Sequence, residues 1–353
     1  MAIEKINGVE SPELPEGVAV PLPQPEMPQG VTELEDGSAI IGEIQQQVEA
    51  PIAVPFDANL AEFIEENDLG VISSDLSGEI EKDIQSRNDW EDQYKNGLEL
   101  LGMNYEDRAE PFEGASGIVH PLLAESVTQF QAQAYRELLP AGGPIRTHIV
   151  GAETPELVQQ AERVKNYMNY QITYEMEEYD PELDQMLFYL PIVGSSFKKI
   201  YFDPTMQRAV SKFVHAEDLI VPYNATDLKT STRICHVLRM GKNEIRKLQL
   251  TGFYKDIDLP SSDGSGETYD EVKDTINEIE GVSSGTSSNE EITLHEIHTD
   301  LDLPGFEDLD PQGEATGLKM PYIVTIVEKS GEVLSIKRNF NESDPLRRKI
   351  PYF

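Results

Sequence analysis

A single cysteine, Cys235, in 353 residues leaves no partner for an internal disulfide and no Cys-rich metal site, which fits a reducing compartment. Long apolar runs are missing too. The longest, residues 187–193, has seven residues including Pro191, against the ~20 that a membrane-spanning helix requires. The opening Met1-Ala2-Ile3-Glu4-Lys5 carries no hydrophobic stretch of the kind that marks a secretory signal. Basic residues are scarce: 28 Lys+Arg stand against 65 Asp+Glu, for a net charge of −37. That balance excludes a general nucleic-acid binder, because phosphate neutralisation needs a surplus of cations. Hydrophobic residues make up 39%, below the ~45–50% of ordinary globular chains, so part of the chain contributes little to a core. The length suggests about two domains.

The acid is unevenly placed. Residues 1–57 hold one base, 11 acids and eight prolines, with Phe56 as the one aromatic. So little apolar surface does not offset the entropy of ordering, and the segment is expected to be a disordered acidic arm. Within it, residues 39–48 are expected to become helical only against a bound partner.

Order is expected from about Leu60. Ile80, Ile84, Tyr94, Leu98 and Leu101 keep three- and four-residue spacing, which predicts one amphipathic helix over residues 75–102, stopped by Gly102. A second helix is predicted over 121–139. Thr154 followed by Pro155 opens a third, with Leu157, Ala161, Val164, Met168 and Ile172 as its buried stripe. Asp180-Pro181 opens a fourth, ending near Pro191. The period then shortens: 196–202 and 208–214 read as a strand pair around a turn, and 219–223 and 232–240 as further strands. A short helix follows at 241–250. Residues 255–291 are acidic and Ser/Gly-rich, with a candidate helix at 269–280. Strands return at 291–299, 322–328 and 333–340. The class is α+β, helices first and antiparallel strands after. The expected division is an arm (1–57), a wing-like domain (58–240) and a further region (241–353).

Chemical motifs are few. Gly281-Val-Ser283-Ser-Gly285 matches the G-x-S-x-G pattern of a nucleophile elbow, but lacks the apolar strand that feeds such a turn. His295-Glu-Ile-His298 is one residue short of a zinc-protease signature. On a strand its two histidines face opposite ways and share no metal, so one is expected inside and one in solvent. Asp300-Leu-Asp302-Leu-Pro304-Gly305 and Asp308-Leu-Asp310-Pro-Gln312-Gly313 approach calcium loops, but prolines or a lysine fall where the later ligands belong. His120, His148, His215 and His236 are scattered singly and read as structural or surface residues. Cys235, in an apolar strand, reads as a small core residue. No catalytic, cofactor-binding or metal-binding residue is assigned, and neither an enzyme nor a cofactor is expected. A serine hydrolase built on Ser283 is the remote alternative.

One stretch says more. Pro111-Phe-Glu-Gly-Ala-Ser-Gly-Ile-Val-His-Pro-Leu-Leu-Ala-Glu-Ser-Val-Thr-Gln-Phe-Gln-Ala-Gln-Ala-Tyr-Arg-Glu-Leu-Leu-Pro140, continued by Ala141-Gly-Gly-Pro-Ile-Arg-Thr147, resembles the portal (head-to-tail connector) proteins of tailed bacteriophages, the short-tailed type most closely. Leu190-Pro-Ile-Val-Gly-Ser-Ser-Phe-Lys-Lys-Ile-Tyr-Phe-Asp-Pro204 and Ala216-Glu-Asp-Leu-Ile-Val-Pro-Tyr-Asn224 resemble the same family in the same order.

The resemblance implies a homo-oligomeric ring, usually a dodecamer, at one capsid vertex of the virion, assembled in the host bacterial cytoplasm. Such a ring docks the packaging terminase, passes DNA through its channel without reading sequence, and later holds capsid and tail adaptor proteins. It also implies that the helices and first strands form a wing, and that the region from 241 onward belongs to stem and clip. The channel loop and crown are expected beyond Phe353, so the chain is expected to be the N-terminal part of a longer subunit, monomeric or heterogeneous alone. Strong acidity suits a conduit that must not grip its cargo. Residual DNA contact is expected at Arg347-Arg348-Lys349. Another head-completion, adaptor or scaffold-associated protein is the alternative.

Overall fold

The computed structural model describes residues 54–102, 112, 120–203, 206–259, 291–309 and 314–353, with the backbone of two short strands further upstream. The chain divides into two units, Met1–Val54 and Pro55–Phe353.

In the first unit β1 (Val31–Glu33) pairs antiparallel with β2 (Ala39–Ile41), Thr32 opposite Ile40. Without a partner, the first residues of the 39–48 segment are a strand, where β-branched Ile40 and Ile41 favour extended backbone. The remainder of residues 1–53 lies outside the described residues. The far end of the expected arm belongs to the second unit: Phe56 packs edge-on against Phe340 at 5.4 Å, and Arg338 donates to the Phe56 carbonyl at 2.8 Å.

The second unit begins with a single tight turn, Leu60–Glu62, opened by Asn59. The Asn59 side chain is buried and bonds on both sides. Its Oδ1 accepts from the N–H groups of Ala61 (3.1 Å) and Ile336 (3.0 Å), and its Nδ2 donates to the Leu334 carbonyl (2.9 Å). One amide thus caps the turn and completes the hydrogen bonding of a sheet edge. Asn59→Ala is expected to lower stability by about 2–4 kcal/mol, since it leaves buried backbone groups without partners; urea denaturation measures it.

Two helices replace the one expected over 75–102: α1 (Glu66–Ser86) and α2 (Asn88–Gly102). The break is at Arg87, whose backbone leaves the helical region (φ −106°, ψ 6°). Its guanidinium bonds Glu91 at 2.7 Å and the Glu217 carbonyl at 2.7 Å. A long-range anchor, with no local breaker residue, ends α1. Leu69, Leu76, Ile80 and Ile84 form the buried stripe of α1. Tyr94 and Leu98 of α2 pack with Tyr189, Trp90 and Ile192.

Three further helices follow, α3 (Leu122–Leu138), α4 (Pro155–Tyr170) and α5 (Tyr179–Val193). Thr154 caps α4 as its sequence requires, its Oγ1 accepting from the Leu157 N–H at 3.3 Å. One π turn, Gln171–Glu175, extends α4. α5 carries Pro191 in its last turn and stops at Gly194, whose φ of 87° suits a residue without a Cβ. It lies against α3, with Gln131 bonded to Asp184 at 2.9 Å, and against the following hairpin, where Glu178 pairs with Arg208 at 2.7 Å. That hairpin is the expected strand pair, β3 (Phe197–Asp203) and β4 (Arg208–Val214), with Phe197 opposite Val214 and Asp203 opposite Arg208.

The remaining strands form one antiparallel sheet in the order β5 (Leu219–Ile220), β6 (Arg233–Gly241), β7 (Glu291–Leu301), β8 (Met320–Val327), β9 (Val333–Arg338), with α6 (Lys242–Leu250) after β6. β6 pairs with β7 along its whole length, Arg233 opposite Thr299 and Gly241 opposite Glu291. The boundary expected at 240/241 therefore falls within a single sheet: β7–β9 extend the sheet that β5 and β6 begin. β7 and β8 are buried on both faces. α1 covers one face, tied by Arg233 to Asp83 (2.6 Å) and Glu79 (2.7 Å). On the other, Ile245 of α6 and Tyr254 pack with Ile292, Leu294, Val327 and Leu334. The fold is α+β, mixed helix and antiparallel sheet, as its sequence pattern indicates. The helix expected at 269–280 lies outside the described residues.

Candidate functional site

Side chains alternate across a strand, so Glu296 and His298 of β7 share one face, with His236 and Ile234 of β6 directly opposite them. Lys199 reaches this face from β3. Its Nζ lies 2.5 Å from Glu296 Oε1 and 3.4 Å from His236 Nδ1, while His298 Nε2 lies 2.9 Å from the same carboxylate oxygen. An ionised carboxylate only accepts and an ammonium only donates. His298 therefore carries its proton on Nε2, and His236 accepts on Nδ1.

Burial alone would raise the Glu296 carboxyl, but the His298 hydrogen bond and the Lys199 charge outweigh it and hold the group well below the usual carboxylate range. Burial, then the Lys199 charge, pushes His236 down to about 4. Burial also lowers His298, despite its bond to Glu296. At neutral pH the cluster is thus one ion pair flanked by two neutral imidazoles.

Residues 349–353 close over it. The Ile200 N–H donates to the Tyr352 carbonyl at 2.8 Å and the Ile350 N–H to the Asn339 carbonyl at 3.0 Å. The Phe353 ring stands 5.6 Å from His236 and 5.4 Å from His298. Between this segment and the sheet lies a cavity of about 160 Å³. Leu228, Ile234, Ile350, Pro351, Tyr352 and Phe353 give it a largely apolar wall, and Lys229, His298 and Lys349 complete its lining. Among the described residues Lys349 Nζ, closed off from solvent, has no hydrogen-bond partner.

The singly read residues fall as follows. His236 joins the cluster, which its isolated position in the sequence did not reveal. His295 and His298 do take opposite faces, but both are buried, correcting the expectation of one solvated ring. The reason is that both faces of β7 are covered. His295 Nε2 lies 3.9 Å from Glu328, on the other face. His120 and His148 are exposed. Cys235 is buried, and burial pushes its thiol up, away from the thiolate that a nucleophile needs. Asp308 is engaged by Thr316 and Arg347, both at 3.1 Å. Among the described residues no group of three His, Cys, Asp or Glu is placed to hold a metal ion. Ser283 and its glycines lie outside the described residues, as does part of the second calcium-like loop.

The basic run Arg347-Arg348-Lys349 is not a free cationic patch. Arg347 pairs with Asp308, Arg348 pairs with Asp344 at 2.9 Å, and the Lys349 amine is buried.

A second feature is a surface. The stripe expected to be buried on α4 is not: the helix has no buried residue. Leu157 (42%), Val158, Val164, Tyr167, Met168 and Tyr170 are exposed, as is Tyr174 (73%) in the π turn. Tyr170 and Tyr174 stack at 5.6 Å. The amphipathic spacing is real, but among the described residues nothing covers it. Contiguous exposed apolar surface of this kind marks an interaction site.

Fold and site together define an α+β protein with an ion cluster built into its core and a helix that the described residues leave exposed. Against known proteins, the chain matches no protein-family model and no curated protein.

Proposed function

We propose that the chain is a portal subunit of a tailed bacteriophage, a structural protein of the ring through which viral DNA is packaged and ejected. The observation that carries this reading is α4. A helix with exposed leucine, valine, methionine and tyrosine along most of its length draws little stability from its own propensity and gains most from something that covers it. A closed ring supplies that cover from the next subunit, because each copy offers one face and receives a different one.

The three resembling stretches add support. Their described residues include α3, the end of α5 with β3, and β5, all in the second unit. The acidity of the chain suits a duct rather than a grip on DNA. In this reading α4 meets a second copy, and the packaging terminase and tail adaptors bind the assembled ring.

Native mass spectrometry tests it. The chain is expected to self-associate as a mixture of species, and Val164→Glu with Met168→Glu is expected to return it to monomer at an unchanged melting temperature. Both positions are exposed, so neither substitution touches the core. A chain that is monomeric at high concentration would overturn the α4 contact. Failure of the assembled protein to capture the packaging ATPase would point instead to a head-completion adaptor.

A further inference from the structure

We propose that Lys337 is a site of acylation by small activated acyl donors, those whose carbonyl carries phosphate or a thiolate as leaving group. The inference is independent of the portal reading and rests on how the lysine amines of the second unit are held.

Lys199 and Lys255 pair with Glu296 and Glu66. The Lys198 and Lys349 amines have no hydrogen-bond partner among the described residues, but both are closed off from solvent, where no reagent arrives. Lys229 is exposed and hydrated. Lys337 of β9 fits none of these classes. It is half-buried, and its Nζ stands 3.4 Å from the centroid of the Phe253 ring. Its amine is not among those sealed from solvent. Among the described residues no carboxylate bonds it, and Asp57 acts on it only from a distance. The strands around it add no charge. Ile323 of β8 lies directly opposite, and Ser335, two residues back on β9, shares the same face.

An ammonium held against apolar groups without a counter-ion loses hydration, which favours the free amine. The ring face returns only part of that hydration. Burial outweighs the Asp57 charge and pushes the Lys337 amine down to about 8. At about pH 7.5 roughly a quarter of such an amine is unprotonated, against about 0.1% of an ordinary lysine at ~10.4. Desolvation of this kind is one of the ways in which lysine becomes a nucleophile.

In the step itself the Nζ lone pair attacks the acyl carbonyl carbon and forms the N–C bond. The bond from that carbon to the phosphate oxygen or the thiolate sulfur breaks, and the leaving group departs with its electron pair. The amine proton passes to water, and a neutral amide remains beside Phe253. No electron is exchanged, so no oxidant or reductant is needed.

The probes are acetyl phosphate and a small acetyl thioester, each at limiting dose on the full chain, with acetylation quantified peptide by peptide by mass spectrometry. Exposed Lys229 is the internal reference. At about pH 7.5 Lys337 is expected to react faster than Lys229 by about tenfold or more, its larger free-base fraction outweighing its partial cover. Its rate is expected to level off above an inflection near 8, while that of Lys229 climbs on towards ~10.4. A preference seen with one donor alone would assign the site to that donor. Phe253→Ser opens the amine to water and is expected to move the inflection up by about one unit or more. Asp57→Asn, at an exposed position, removes the charge that favours the ammonium and is expected to move it down. Circular dichroism checks that each variant is folded. Equal rates at Lys337 and Lys229 with both donors, an inflection near 10 in the parent protein, or an inflection that neither variant moves would each overturn the proposal.

Discussion

Acidification from about pH 7 to about pH 5 is expected to destabilise the second unit by about 2 kcal/mol through His236 alone. Its folded pKa is about 4, against ~6.5 in an unfolded chain. A depressed folded pKa means that the unfolded state takes up the proton first. The stabilisation is therefore complete above about pH 6.5 and is lost as the pH falls towards 4. His298 and His295 are lowered by burial as well and act with the same sign. Glu296, also depressed, adds its loss only at lower pH.

The opposing effect is relief of repulsion as the many surface carboxylates protonate, which begins nearer their own pKa values, below about pH 5. The window from about 6.5 to 5 thus isolates the imidazoles. Urea midpoints across it should fall steadily, and His236→Gln should flatten part of the slope. A stability that is level across this range would show that the imidazoles are hydrated rather than enclosed.

Glu296→Leu is expected to be the most damaging single change in the cluster, at about 3–5 kcal/mol. It strands the Lys199 ammonium and removes the acceptor for the His298 N–H in a largely enclosed place. The pair is a different matter from either member. Lys199→Met combined with Glu296→Leu removes both charges, and the double variant should recover most of what the single one loses, because a buried ion pair contributes little over well-packed apolar residues. Denaturation at neutral pH of the two single variants and the double one measures the coupling. A loss below about 1 kcal/mol in Glu296→Leu would mean that Lys199 finds water or another acceptor.

Much of the fold was legible because its signals are local. Thr154-Pro155 starts α4 through the backbone N–H groups of its own first turn. Gly194 ends α5 because only glycine takes that positive φ without strain. The strand pair at 196–214 is set by its own alternation and turn. Class and most element boundaries follow from such short-range rules, and so does the scarcity of cations and cysteine.

What only the tertiary structure decided is held between residues far apart in the chain. Arg87 splits one predicted helix into two by reaching carbonyls of Glu217 and Leu219, which no local pattern announces. The α4 stripe has the spacing of a buried face, but spacing states only that a helix has an apolar side, not that its own chain covers it. Lys199, His236, Glu296 and His298 come from three strands, and their meeting depends on the register of β6 against β7 across the long intervening segment. Register is fixed by which faces are buried, and burial belongs to the folded chain as a whole. Periodicity names the elements; the contacts that turn a lone histidine into part of an ion cluster exist only once those elements have packed.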